Sequence, residues 1–344
     1  MRKWLVIALV LAFALGGCEK PENAAFICAQ QAVCDVPIDA DAYGFVKQAE
    51  NTAIVIPGLK QNFIPQGITH WQARNWLLIS GYFLPVTQGM NSAIFAVSLS
   101  SGKLVGEYSL VNASGQAYNG HFSGLTVAEK DLYVTGPNCL YRVPLKAISR
   151  SGGKDALLVE QEIPVHVAAA ACAYSDGILW VSEYYQKDAF PLSGQHVSLC
   201  NDGTTHHAWM IGYKIVDRKT LEPCFVYSIP DRVQGVSFLP DDKLALSQSY
   251  GRKNPSKLFL LKDPRKESAD GWVTVGDKLL PLWHLNIAGS LQTLDAPPMA
   301  EGCCAVGDTV YLIFESAAYF YRAMTPENTA LDPTDRIWKW NTKQ

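Results

Sequence analysis

The chain has 344 residues, 48% of them hydrophobic, with 29 basic against 32 acidic side chains. That apolar share fills a sizeable core and excludes a disordered chain. Near-balanced charge, with no Lys/Arg run or basic face, excludes nucleic acid as a partner, and the length fits two ordinary domains or one large all-β domain.

The chain opens with "MRK", a positive segment, then the apolar "WLVIALVLAFAL", then "LGGC". Small residues just before Cys18 are what a secretory signal demands. The pattern resembles a bacterial lipoprotein lipobox, with Leu15, Gly16 and Gly17 ahead of Cys18. The resemblance implies a signal peptide over 1–17, a palmitate-type lipid anchor on Cys18 with a tether over 18–50, and a folded domain over 51–344. Glu19 after the cysteine fits an exported protein anchored in the outer membrane and facing the periplasm. A lipid-free signal peptide and an uncleaved anchor are the other readings, although an apolar run of about 15 residues is short for a membrane span.

Removing Cys18 from nine cysteines leaves an even set: Cys28, Cys34, Cys139, Cys172, Cys200, Cys224, Cys303 and Cys304. In an oxidising compartment such a set is expected to form disulfides. Cys28 with Cys34 and Cys200 with Cys224 are candidate local pairs. Adjacent Cα atoms lie about 3.8 Å apart, whereas disulfides span about 4.4 to 6.8 Å. Cys303 and Cys304 are therefore expected to pair with different partners, Cys139 and Cys172 being candidates, and a strained vicinal bond with a redox or ligand role is the alternative.

Five segments then share one plan. "PQGITHWQARNWLLISGYF" starts at Pro65, "FSGLTVAEKDLYVTGPN" at Phe122, "AAACAYSDGILWVSEYY" at Ala169, "VQGVSFLPDDKLALSQSYGRK" at Val233 and "AEGCCAVGDTVYLIFESAAY" at Ala300. Each has a small or polar residue, usually followed by Gly, then a short strand, a turn, and a second strand ending near Ser, Thr or an aromatic. The starts are spaced by about 45 to 70 residues, a propeller-like period. Further β-like runs follow: "SAIFAVSL" and "KLVGEYSL", "CLYRVPL" and "ALLVEQEIPV", "WMIGYKIVD" and "CFVYSIP", "KLFLLK" and "LPLWHLNI". Four strands make a blade. The fifth unit adds only "DRIWKW", so "NTAIVIPG" from Asn51 is expected to complete it and close the ring. The fold expected is an all-β propeller of five blades, each of four antiparallel strands, with six blades as the alternative and a β-sandwich or two small β domains as the other architecture.

In such a blade the first strand starts, and the second ends, at the same mouth of the central channel. That mouth is expected to gather Gln66, Ser123, Gln234 and Glu301 from the starts, with His121 beside Ser123. From the ends come Tyr82, Tyr184, Tyr250 and Tyr319 as rings, and Arg252 and Arg322 as forks for a carboxylate or phosphate. The alternative is scaffold duty for all of them.

The "QG" of Gln66 and Gln234 and the "EG" of Glu301 resemble the blade starts of the regucalcin and gluconolactonase-like propellers. The resemblance implies Glu301 as a carboxylate ligand and Gln66 and Gln234 as amide ligands of a divalent cation such as calcium in the channel, activating water for lactone hydrolysis. The chain departs from that pattern: Ser123 holds a third start, Ala170 or Ala171 a fourth, and no Asp stands at a start as general base. One Glu with two Gln is thin against the six to eight oxygens calcium takes.

"GHFSG" from Gly120 lacks the spacing of a nucleophile elbow. His121 at the mouth is an acid/base candidate or a hydrogen-bonded wall residue. The loop holding His196, Cys200, His206 and His207 mimics a zinc set, or is a lid or partner surface. No phosphate-binding loop or dinucleotide fingerprint occurs. The function expected is that of a membrane-anchored envelope protein binding a small molecule, a glycan or an envelope protein at one channel mouth. A metal-dependent hydrolase of lactonase or esterase type is the alternative, disfavoured by the lack of a second carboxylate.

Overall fold

A computed structural model describes residues 28–34, 37–87, 90–150, 153–192 and 194–343. The leader and Cys18 lie outside the described residues. Hairpins between first and second strands form where the sequence supplies tight turns. Asp176 with Gly177 and Asp241 with Asp242 each take two successive positive φ angles, the twist that suits an antiparallel hairpin.

Five blades result. The first has Phe63–Trp71, Trp76–Thr87, Met90–Ser98 and Leu104–Val111. The second has Leu125–Ala128, Asp131–Gly136, Cys139–Pro144 and Gln161–Pro164. The third runs Ala171–Ser175, Ile178–Ser182, Ala208–Ile215 and Leu221–Ile229; the fourth runs Val233–Leu239, Lys243–Gln248, Ser256–Lys262 and Gln292–Ala296. The fifth has Ala300–Val306, Thr309–Phe314 and Arg336–Asn341, closed by Ala49–Val55 in antiparallel pairing. The first chain segment thus completes the last blade, as its sequence leads one to expect.

Packing explains why the strands are apolar on both faces. Successive residues of one strand point to opposite sides of the blade, and each side meets a neighbouring blade. Leu77 and Ile79 enter the core between blades 5 and 1, whereas Leu78 between them enters the core between blades 1 and 2. Leu244 and Leu246 face blade 3, while Ala245 faces blade 5. Five apolar clusters fill five seams, so the ring closes at five and not six.

Two outer strands differ from expectation. Of "ALLVEQEIPV", only Gln161–Pro164 joins blade 2; Lys154–Leu158 crosses to blade 1 and pairs parallel with Leu104–Val111. "LPLWH" leaves blade 4 and, with Gly271–Val275, forms a hairpin beside Leu221–Ile229 of blade 3. Blades 1 and 3 therefore carry five and six strands. In both cases the connection before a blade's last strand covers the outer edge of the preceding blade, satisfying backbone groups that would otherwise stay open.

Packing also extends ahead of Asn51. Cys28, Tyr43 and Phe45 are buried, and the Val33 and Cys34 amides donate to Asp335 Oδ2 at 2.6 and 3.0 Å. Among the described residues no helix is long and apolar enough to cross a membrane.

The expected disulfides are absent among the described residues. Cys200 lies buried in the short hairpin of Ser198–Leu199 and Thr205–His206, while Cys224 sits on an outer strand with its thiol donating to the Gly212 carbonyl at 3.2 Å. Cys303 and Cys304 do face opposite ways, into the blade 4/5 and 5/1 cores. There they serve as small apolar residues, and burial pushes the Cys303 thiol up to about 12.

Candidate functional site

The repeated glycine has a steric cause. A Cβ on Gly67 would lie 2.9 Å from Gly124 Cα; on Gly124, 2.7 Å from Ala171 Cα; on Gly235, 2.7 Å from Cys303 N; and on Gly302, 2.8 Å from the Gln66 carbonyl. The inner strands meet backbone to backbone around the axis, which larger side chains would prevent. The serines at the ends of second strands stitch the same seam: Ser80 Oγ donates to the Phe122 carbonyl of the next blade, and Ser247 Oγ to the Glu301 carbonyl.

The residue before each glycine is freed for another task. The ladder shifts between Pro65 and Gly67, between Val233 and Gly235, and between Ala300 and Cys303. Each bulge leaves an unpaired residue, a device that re-aims a side chain, and here it presents Gln66, Gln234 and Glu301 to the channel mouth. Upstream, Phe122, Arg232 and Met299 hold left-handed φ angles of 45°, 65° and 65°, conformations that non-glycine residues rarely adopt and that cluster at functional sites.

Two rings of five residues therefore line a cavity of about 690 Å³. The inner ring is Gln66, Ser123, Ala170, Gln234 and Glu301. The second comes from the residue two beyond the one facing each start glycine or alanine: Tyr82, Pro137, Tyr184, Ser249 and Glu315. The rings are chemically lopsided. Both carboxylates and both glutamines come from blades 4, 5 and 1, while blades 2 and 3 add Ser123, Asn138 and Tyr184 to an apolar stretch of Pro137, Ala168, Ala169 and Ala170, extended by Phe190, Pro191 and Leu192 of the long loop.

The polar side centres on two carboxylates. Gln66 Nε2 donates to Glu315 Oε2 at 2.9 Å, Gln234 Nε2 to Glu301 Oε1 at 3.2 Å, and the Tyr321 hydroxyl to Glu315 Oε2 at 3.3 Å. Glu301 is 3% exposed, and Glu315 is partly reached from the cavity. Burial and then the neighbouring Glu315 charge push the Glu301 carboxyl well above the usual range. Burial raises Glu315 to about 7, against the pull of its Tyr321 and Gln66 hydrogen bonds and the Arg252 charge. Two like charges this shielded hold a proton between them near neutrality. The phenols of Tyr82, Tyr184 and Tyr321 are likewise raised, first by burial and then by these carboxylates.

Nine of the eleven residues expected at the mouth line this cavity: Gln66, Tyr82, His121, Ser123, Tyr184, Gln234, Tyr250, Arg252 and Glu301. His121 stands at the lip and stacks on Tyr82 at 4.2 Å and 16°; shielding from water lowers its pKa. Tyr184 donates to the Ser249 carbonyl at 3.2 Å. Arg252 does not fork into the cavity: it lies over Tyr321 at 5.1 Å and donates to the Asn328 carbonyl at 3.2 Å. Arg322 stays outside, its Nε bonded to the Ala317 carbonyl at 2.8 Å, and Tyr319 is exposed elsewhere on the surface.

The zinc-like loop residues do not converge. His196 bonds Glu183 at 2.7 Å and stacks on Trp209, His206 faces Ser228 Oγ, and His207 faces Asp231. Among the described residues no three His, Cys, Asp or Glu side chains gather as a metal group. Sequence reasoning missed Glu315 and Tyr321. Glu315 was findable from the repeat, since it takes the register of Tyr82 and Tyr184; Tyr321 arrives on a helical turn outside the repeat, Tyr319–Arg322, and carries no such signal.

The chain is a five-bladed β-propeller by its own strand pairing and its five seams. No family model matches it. No curated protein matches it. Among solved structures it is similar to the PQQ-bound aldose sugar dehydrogenase of Streptomyces coelicolor, at 13% identity and a TM-score of 0.46, covering 85% of this chain and 97% of that one. It is also similar to Myxococcus xanthus glutaminyl cyclase, at 11% identity and 0.42, covering 77% and 91%. A third similarity is to Kuenenia stuttgartiensis hydrazine synthase, at 12% identity and 0.32, covering 76% of this chain and 56% of that one, so the chain spans just over half of that protein.

Proposed function

We propose that the protein is a cell-envelope receptor, anchored through Cys18, that takes a small molecule or glycan end into the channel mouth. The observation that carries this reading is the pair of shielded carboxylates set against an apolar wall in one cavity. Packing alone has no use for such a pair, because burying unpaired acids costs folding energy unless a partner compensates. The test is a thermal-shift screen of envelope sugars, peptides and small metabolites with the native protein and with Ala170→Trp, which fills the cavity from blade 3. Ligands that raise the Tm of the native protein but not of the variant support the reading; ligands that act equally on both remove the mouth from consideration.

A second reading, the divalent-metal hydrolase, gains from Glu315. Two carboxylates, with Gln66 and Gln234 turned to present amide oxygens, make four hard oxygen donors, which suits calcium better than zinc, with water completing the shell. A cation held there would polarise a substrate oxygen or acidify a bound water. Calcium that raises the Tm after chelation, and fails to do so in Glu301→Gln, would favour this reading over the first.

A further inference from the structure

We infer that the molecule taken up at this mouth is a small primary ammonium compound, its charged head seated between Glu301 and Glu315 and its apolar body laid against blades 2 and 3. The inference rests on the reading of the mouth as a ligand site and names the ligand's class. It begins with unused hydrogen-bonding capacity. Glu301 Oε1 and Glu315 Oε2 accept from amides and a phenol, whereas Glu301 Oε2 and Glu315 Oε1 accept from no donor among the described residues. Glu301 is 97% buried, yet its carboxylate lines the cavity. The donors that hold the pair are neutral, so among the described residues no cation meets its negative charge in direct contact.

An ammonium head answers each of these features. It brings a full positive charge, it has three N–H donors for two open carboxylate oxygens and one further acceptor, and it has no lone pair to clash with them. The Tyr82, Tyr184 and Tyr321 rings nearby suit a cation as well. An anionic ligand is opposed by both carboxylates, and Arg252, the cation among the cavity-lining residues, is turned to Tyr321 and Asn328. A ligand that is polar throughout, such as a free sugar, leaves the wall of Pro137, Phe190, Pro191 and Leu192 without a partner. The cavity volume lies within the range of about 300 to 1,000 Å³ found for small-molecule sites.

The test is calorimetric titration of the full chain in detergent with 2-phenylethylamine, its neutral isostere 2-phenylethanol, and calcium chloride. The amine is expected to bind at least about tenfold more tightly than the alcohol. Its affinity is expected to fall at least tenfold in Glu301→Gln with Glu315→Gln, a variant whose melting temperature confirms folding, and to vanish in Ala170→Trp. Equal binding of amine and alcohol, or binding of calcium with no amine competition, overturns the ammonium class; if that binding is lost in Ala170→Trp, the mouth survives as a ligand site. Silence of all three probes also overturns it, and the thermal-shift screen then judges the mouth independently.

Discussion

Replacing Glu315 by Gln removes one of two acids from the channel while keeping an acceptor for Gln66 and Tyr321. The native carboxyl is raised from 4.5 to about 7, chiefly by burial. The folded state therefore holds the proton more tightly than the unfolded chain. That contribution to stability is fully present below the unfolded value and is lost as pH rises through the folded one. The gap corresponds to about 3 kcal/mol, which water reaching Glu315 from the cavity trims to about 2. At about 2.1 cal/mol/K per residue, unfolding of a propeller this size converts 2 to 3 kcal/mol into roughly 3 to 5 °C. Thermal unfolding followed by tryptophan fluorescence at pH 5, 6, 7 and 8 is the assay. Glu315→Gln is expected to match the native protein at pH 5 and to exceed it by that amount at pH 8. A constant offset at every pH would refute the argument, because it would mean that the carboxylate titrates alike in folded and unfolded chains.

Gly302→Ala puts a methyl within 2.9 Å of Gln66, Gly67 and Ile68 backbone atoms. It is expected to cost about 3 kcal/mol in urea unfolding, and a loss below 1 kcal/mol would show that the inner strands do not meet so closely. Ser247→Ala removes the hydroxyl bonded to the Glu301 carbonyl and is expected to cost about 1 to 2 kcal/mol; no loss would mean that water replaces it. Burial raises the Cys28 and Cys303 thiols to about 12. A thiol reagent is therefore expected to react slowly with these two thiols in the native protein at pH 8 and quickly after unfolding without reductant, whereas no reaction after unfolding would reveal bridges.

The blade hairpins and the closing N-terminal strand were legible because their signals are local or paired: turn residues, and a blade one strand short matched by a strand in excess. Assignment of outer strands was not. Lys154–Leu158 and Lys278–His284 have the same apolar pattern whether they pair with their own blade or the one before, and only the three-dimensional ring decides. The start residues Gln66, Gln234 and Glu301 were legible from the adjoining glycine. Glu315 was harder to see than its register implies because Ile313 stands where the other blades show Ser or Thr opposite the start glycine or alanine. The cysteines were ambiguous for a different reason: an even count is what bridges require, but buried seams use the same residue as a small apolar filler.

The closing strand also sets a clock. Ala49 pairs with Trp340, so the ring's last seam joins segments separated by nearly the whole domain. At 5 to 20 residues per second, roughly 15 to 60 s of synthesis separate the two. Until then Arg336–Asn341 does not exist to receive the first strand, and blade 5 stays two strands short. Early blades can form hairpins as they emerge, but the channel mouth, whose carboxylates both come from the last blade, cannot exist before Glu301 and Glu315 have been made. A product truncated ahead of Arg336 therefore keeps every residue of the mouth yet lacks the strand that closes the ring.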